Sequence, residues 1–373
     1  MNASQAPRPA TVADVARTAK VSKAQAARAL GGYGAVSEPV RERVLRAAEG
    51  LNYRPNALAR SMNTGRSQTI GVVIAEVENP FFGLAIRGAS DALREHGYDV
   101  VLANTDERTD AEEDAIRVML DKRVDGIIAS PADAGVTSHL SAAVAAGCPM
   151  VFLDRHVPGL DIDSVEVDLR RLAGQATAEL LELGHRGIGF ISAVQAPTDV
   201  YEPGLVLQNS SVADRLGGIR DAYARAGIAP DPRWFRLNAK TAEAIRAATH
   251  ELLELDDAPT AIVASDSMVG LDVLRVLRER SLRVPHDVSF LMFDDMPWSS
   301  LVDPPITVLS QPAYDMGVAA ATALLERLRG STTAPCRRVL EGEMIRRESV
   351  APAHGAVQET AARVGAARET AAT

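Results

Sequence analysis

Residues 11–62, TVADVARTAKVSKAQAARALGGYGAVSEPVRERVLRAAEGLNYRPNALARSM, restrict the possible folds more than any other stretch. Val12, Val15, Ala16 and Ala19 recur at i, i+3, i+4 and i+7, which predicts a short helix with one apolar face and Thr11 as its N-cap. Lys20 and Val21 leave room only for a tight turn. Ser22 and Gln25 then have the S-x-x-Q spacing of a capping box at the start of a second helix. Beyond the glycines at 31, 32 and 34, Ser37 is placed to cap a third helix. Its stripe of Val40, Val44, Ala47, Ala48 and Leu51 closes a small three-helix core.

Charge gives this module a direction. In residues 1–66 eleven Lys and Arg stand against four Asp and Glu, while the whole chain carries −9. A compact basic helical head on an acidic body is the expected footprint of a duplex-DNA reader, because neutralised phosphates supply much of the affinity. Arg28 points from the second helix, and Arg is the commonest specific reader of guanine. Lys23 and Ala24 lie in that helix's first turn, where recognition helices meet base edges, and Gln25 is divided between a base contact and its cap.

The segment after the third helix, residues 56–62, has helix-forming composition but spans only two turns, so it is expected to be helical only when something packs on it. Asn56, Ala59 and Met62 fall near one face. An apolar Met62 suits a wedge between base steps in the minor groove. The DNA-binding candidates are therefore Thr11, Ser22, Lys23, Ala24, Gln25, Arg28, Asn56, Ala59 and Met62.

From residue 69 onward the pattern becomes apolar runs alternating with helical stretches: TIGVVIA, YDVVLAN, VDGIIAS, PMVFLD, then GIGFIS, AIVASD, VSFLMFD and ITVLSQP. Strand runs without polar alternation imply a parallel sheet covered on both faces, and two such series imply two doubly wound α/β subdomains. Open α/β sheets bind small molecules at strand ends, which singles out Phe81, Phe82, Asp154, Ser265 and Asp294; Asp266 reads instead as a helix cap.

The head motif and the run VSEPVRERVLRAAEGLNYRPNALARSMNTGRSQTIGVV closely resemble the LacI/GalR transcriptional repressors, and the similarity continues to about Val350. The resemblance implies a helix-turn-helix head and a periplasmic-binding-protein-like core whose chain crosses three times between subdomains around a ligand cleft. It implies an arm over 1–10, a DNA-binding domain over 11–55, a hinge over 56–68 and a core over 69–350. Subdomain one would hold about 69–166 and 311–330, subdomain two about 167–310 and 331–350, with a disordered tail over 351–373. Two departures stand out. Where the family usually has T-V-S-R-V-L-N in the second helix, this chain has Gln25, Ala26, Ala27, Arg28, Ala29, Leu30 and Gly31. Where it commonly has R-x-R-x-x-G with the first Arg lining the cleft, this chain has Ala213, Asp214 and Arg215, which implies a missing arginine fork.

The expectation is a cytoplasmic, sequence-specific transcription regulator, a repressor that binds a palindromic double-stranded operator as a homodimer. A small-molecule effector of the sugar, polyol or nucleoside class would control it, with no cofactor, metal or membrane partner. A dimer is preferred because the Ala-rich last twenty residues contain no Leu for a tetramerising heptad. The alternative, a cytoplasmic α/β sugar- or nucleotide-binding enzyme, needs a phosphate cradle, and neither G-x-x-x-x-G-K-[ST] nor a well-placed G-x-G-x-x-G occurs. A transport-type binding protein would need an export signal, and the start MNASQAPRPA has no apolar segment for one. Cys148 and Cys336 are far apart and read as incidental thiols.

Overall fold

The structure is a computed structural model that describes Arg8 and residues 10–31, 34–53 and 65–353. Asn56, Ala59 and Met62 lie outside the described residues, as do 354–373 of the expected tail and most of the arm. The chain divides into a helical unit, residues 1–69 with 122–125, and an α/β unit formed by the rest.

In the helical unit, α1 (Val12–Ala19), α2 (Lys23–Gly31) and α3 (Glu38–Gly50) form around Val15, Ala16, Ala19, Ala26, Ala29, Val44, Ala47 and Ala48, all buried. The expected Ser22–Gln25 capping box closes, and the expected N-cap Thr11 forms a second box with Asp14. Asp14 N donates to Thr11 Oγ1 at 3.4 Å and Thr11 N to Asp14 Oδ2 at 3.0 Å; Gln25 N donates to Ser22 Oγ at 3.2 Å and Ser22 N to Gln25 Oε1 at 3.1 Å. Lys20 ends α1 with φ of 56° in the left-handed region, which turns the chain within one residue. Ser37 sits at the N-cap position of α3, but its side chain makes no capping bond, so the sequence expectation is right in position and not in chemistry. A proline in the first turn of α3 already fixes the helical φ there.

The α/β unit contains two six-stranded sheets. The first is ordered β11-β5-β4-β3-β1-β2, from β1 (Thr69–Ile74), β2 (Asp99–Asn104), β3 (Gly126–Ala129), β4 (Met150–Leu153), β5 (Asp163–Val167) and β11 (Arg337–Leu340). The second is ordered β12-β10-β9-β8-β6-β7, from β6 (Ile188–Ile191), β7 (Phe235–Arg236), β8 (Ala261–Ala264), β9 (Ser289–Phe293), β10 (Thr307–Ser310) and β12 (Glu343–Ile345). Strands β11, β5, β4, β3 and β1 pair in parallel, and in the second sheet only β12 runs antiparallel, against β10. The central strands are buried at every residue, as runs without polar alternation require.

Helices α4 (Pro80–Arg94), α5 (Thr109–Asp121), α6 (Ser138–Ala145) and α11 (Ala313–Leu328) belong to the first lobe. The second has α7 (Leu169–Glu182), α8 (Ser210–Arg225), α9 (Ala242–Leu253) and α10 (Ser267–Glu279). In each lobe the two helices in closest contact cross at glycine: a Cβ on Gly317 would stand 1.9 Å from the Ala85 carbonyl oxygen, and one on Gly218 would stand 2.1 Å from that of Arg170. Only a missing side chain allows backbones this near.

The chain crosses between lobes after β5, after β10 and after β11. The third crossing corrects the sequence expectation, which put all of 331–350 in the second subdomain: β11 pairs with β5 in the first sheet, and only from β12 does the chain join the second. Gly342 lies at that crossing with a Cβ position 2.8 Å from Val167 Cγ1 and 3.0 Å from Ser310 O, so the three connections meet around it. The expected tail also begins later. Ala351 N donates to Ser289 Oγ at 3.1 Å, and Ala353 N donates to the Leu183 carbonyl at 2.9 Å, which ties 351–353 to the second lobe. Among the described residues no helix is long and apolar enough to cross a membrane.

Candidate DNA-reading helix and interlobe effector cleft

On the helical unit, Ser22, Lys23, Ala24 and Gln25 are exposed at the start of α2, and Ala26 and Ala29 bury its opposite side. The Gln25 carbonyl oxygen is engaged with the Ser22 amide and hydroxyl, as the capping spacing predicts. Arg28 is half-buried, and its Cδ comes within 2.9 Å of where a Cβ on Gly34 would sit. Gly34 has φ of 70°, so this loop position needs glycine for its backbone as well as for the arginine stem lying over it.

The second site lies between the two lobes of the α/β unit, where the carboxyl ends of both sheets face each other. Three of the five effector candidates, Asp154, Ser265 and Asp294, directly follow strands, Phe81 and Phe82 lie in the first turn of α4, and all five line one cavity. Asn79, the N-cap of α4, accepts from Phe81 N at 3.0 Å and so fixes where the two rings begin. The rings stand edge to face at 5.2 Å, and both are also part of the core. The two readings of these phenylalanines, cleft wall and core packing, are satisfied together.

Asp154 and Asp294 are equivalents in the two lobes. Each is the first residue after its strand, with φ of 69° and 71°, and each donates its amide to the neighbouring strand, to Val165 O at 2.9 Å and to Leu309 O at 3.0 Å. Asp is one of the few residues that tolerate this conformation. Both side chains are buried, and burial holds the Asp154 carboxyl above its usual range against the pull of Arg155 and Arg215. Burial likewise pushes Asp294 up to about 7; Asp266 and Asp154 add to the rise, while Arg215 and the Gln311 amide, at 2.8 Å, oppose it. Ser265 is buried beside them and donates to Asp266 at 2.8 Å. Asp266 accepts from Met268 N and Val269 N at 2.9 Å each, the capping role its sequence position predicts.

The missing arginine fork is a misreading of helical phase. Ala213 faces away from the cleft, into a groove it shares with Tyr201, Leu205 and Arg220. Two residues on, about 200° around α8, Arg215 lines the cleft. It is buried, its guanidinium lies 4.5 Å from the centre of the Phe293 ring, and its Nε has no hydrogen-bond partner. Arg155, the other arginine of the cleft, is committed elsewhere: it forks Glu107 at 2.5 and 2.8 Å and donates to the Pro131 carbonyl at 2.9 Å. Sequence reasoning therefore missed Arg215, together with Glu76, Glu107 and Asn209; the i, i+2 spacing along an amphipathic helix was the available signal for the arginine.

The free space in the cleft is about 50 Å³, enough for a few waters and well below the roughly 300–1,000 Å³ of ordinary ligand sites. Direct bonds join the lobes at its edge. His156 N donates to Ser210 Oγ at 3.1 Å, Ala134 N to Gln208 O at 3.2 Å, and Lys240 Nζ to Asp106 O at 3.4 Å. Admitting a sugar-sized molecule requires the lobes to part or side chains to move.

Known proteins resemble both the helical head and the two-lobed core. Residues 11–56 match the profile described as bacterial regulatory proteins, lacI family, and residues 177–350 match a periplasmic binding protein-like domain. The HTH-type transcriptional repressor CytR of Escherichia coli K12 is 31% identical over 345 residues, covering 91% of this chain and 96% of CytR. The ribose operon repressor of Haemophilus influenzae is 28% identical, covering 91% and 98%. Among solved structures, a transcriptional regulator CelR–cellobiose complex is 32% identical with a TM-score of 0.66, covering 92% of this chain and 100% of that one. A lac repressor dimer bound to operator and the anti-inducer ONPF, at 24% identity and a TM-score of 0.77, shares the fold over 92% of this chain and 100% of that one. A three-helix basic head, a two-lobed core and a full-length relative at this identity lead to one conclusion: the chain belongs to the LacI/GalR family of sequence-specific DNA-binding transcription regulators.

Proposed function

We propose that this regulator is a repressor that occupies a two-fold symmetric operator as a homodimer and is controlled by a small polar effector in the interlobe cleft. The observation that carries this reading is the convergence of Asp154 from the first lobe with Arg215 and Asp294 from the second, all buried and rich in hydrogen-bonding capacity. Such a set suits a hydroxylated ligand of the sugar, polyol or nucleoside class, with Phe81 and Phe82 as an apolar wall and Ser265 at the margin. The cellobiose named with the 32%-identical relative favours a sugar.

On the head, Lys23, Ala24, Gln25 and Arg28 are the proposed base readers, and Thr11 and Ser22, at the N-termini of α1 and α2, the proposed phosphate contacts. A second copy of the chain is proposed to cover the apolar groove beside Leu271, Leu274, Trp298 and Val302, which encloses about 1140 Å³ next to Leu301, itself 82% exposed. A thermal-shift screen of sugars, polyols and nucleosides, followed by titration of each hit against the operator complex, tests the reading, because a ligand of the native state raises apparent stability. Hits that stabilise the protein without changing operator affinity would refute control through the cleft.

A further inference from the structure

The cleft contains more negative charge than its own cations neutralise. Five carboxylates line it, Glu76, Glu107, Asp154, Asp266 and Asp294, against the guanidiniums of Arg155 and Arg215. Two of the five are accounted for. Glu107 is forked by Arg155, and Asp266 accepts two backbone amides and the Ser265 hydroxyl. Glu76, Asp154 and Asp294 remain: Asp154 Oδ2 lies 3.5 Å from the Nε of the already forked Arg155, Asp294 takes only the neutral Gln311 amide, and Arg215 is the one lining cation not committed to another carboxylate. Asp154 is 6% exposed, and its Oδ1 has no hydrogen-bond partner. The carboxylates are not a metal cage: among the described residues no group of three or more His, Cys, Asp or Glu is arranged to hold an ion.

The surplus also straddles the interlobe cleft. Glu76 follows β1 in the first lobe, and Asp266 follows β8 in the second, so each faces the other's charge across the cleft. Burial pushes Glu76 up to about 7; Asp266 and Glu107 add to the rise, and Lys240 and Arg155 oppose it. Bringing the lobes together thus sets like charges against each other in a site with little water, where such repulsion is strongest. A neutral ligand leaves that repulsion in place. A ligand carrying positive charge removes it and binds the closed arrangement better than the open one, the differential affinity that switching needs.

We propose that the effector is a cation, a small hydroxylated molecule with a protonated amine whose ammonium group lies beside Glu76 while its hydroxyls meet Asp154, Arg215 and Asp294. This rests on the reading of the cleft as the effector site and narrows it to an aminated class of ligand. A charge-assisted hydrogen bond contributes roughly 1.5–3 kcal/mol, equivalent to a preference of about tenfold or more over an uncharged isostere.

The test uses the full-length protein and two matched pairs of probes, glucosamine against glucose and putrescine against 1,4-butanediol, with half-saturation read from thermal shift at pH 7.5. The proposal expects the amine of at least one pair to act at about a tenth or less of the concentration of its neutral partner. In Glu76→Gln that gap should close to within about twofold, since the isosteric amide retains the shape and loses the charge. Melting of each variant without probe reports whether it folds, and Asp294→Asn gives a second cleft variant. Neutral partners that bind as well as the amines, with shifts abolished in Asp294→Asn, would overturn the cation and leave the effector cleft standing. An amine preference undiminished in Glu76→Gln would also overturn it. If no probe of either kind gives a shift that depends on Glu76 or Asp294, the cation and the effector reading both fall.

Discussion

Replacing Asp294 by Asn should make the protein more stable and less responsive, and the size of the effect follows from the site. The folded carboxyl titrates near 7 where an ordinary one titrates at 3.8, because it is buried and faces Asp154 and Asp266 with Arg215 and Gln311 as partial compensation. A raised carboxyl means that the folded chain binds more protons than the unfolded chain between those values. Stability from this group is therefore full below 3.8, falls as pH rises to about 7, and is level above. At about 1.36 kcal/mol per pH unit, the ionised group costs about 4 kcal/mol at pH 8 and about 1.5 kcal/mol at pH 5. Asn titrates nowhere in this range, still accepts from the Gln311 amide and tolerates φ of 71°. Its own desolvation takes back about 1–2 kcal/mol. The variant should gain about 2–3 kcal/mol over the parent at pH 8 and almost nothing at pH 5. Urea unfolding of both proteins at the two pH values measures the difference. Equal differences at pH 5 and 8, or a variant less stable at pH 8, would refute the account of Asp294 as a buried charge retained for function.

Three further outcomes follow. Arg28→Ala should lose discrimination at one base pair per half-site, by about 1–3 kcal/mol in gel-shift titrations against operator variants; an equal loss on every sequence would make Arg28 a phosphate contact. Leu301→Asp should shift the protein toward monomer in sedimentation and weaken operator binding with it, because a charge on an 82%-exposed leucine leaves the fold intact and opposes burial against a second copy. Gly342→Ala puts a methyl within 2.8 Å of Val167 and 3.0 Å of Ser310 where the three crossings meet. It should cost about 1–3 kcal/mol in urea unfolding and reduce the change in operator affinity that an effector produces. A full effector response in that variant would remove the crossings from the switching path.

Much of this architecture was legible because the information is periodic. The unbroken apolar runs gave the parallel strands at the centre of both sheets, and Thr11, Ser22 and Asp266 cap the helices they were expected to cap. What was not legible depended on pairing between distant residues. Strand β5 reads Asp-Ser-Val-Glu-Val and shows no apolar run, yet it is buried throughout. Asp163 is forked by Arg327 at 2.6 and 3.0 Å, and Glu166 takes bonds from His156, Ser164 and Arg337. The charged partners Arg327 and Arg337 lie far along the chain, so a polar sequence became a buried strand with little local sign. The same partners explain β11: Arg337 is drawn to Glu166, and this places its strand in the first sheet.

Arg215 shows how a family pattern can mislead where helical geometry does not. A match to two arginines two positions apart does not say which one enters the cleft, since they project from opposite sides of α8. With Arg215 facing in and Ala213 facing out, the polar centre of the cleft is assembled from both lobes: Asp154 at a strand end of the first, Asp294 at the corresponding strand end of the second, and a guanidinium between their charges. Each lobe alone presents an incomplete set. Closing them without a ligand buries carboxylates that remain short of partners, so the closed arrangement has a standing electrostatic cost, and a molecule that supplies the missing donors or charge removes it. On the proposed reading, a small ligand shifts the lobe equilibrium by what the closed state lacks without it as well as by the contacts it makes, and the buried acids are the source of the response.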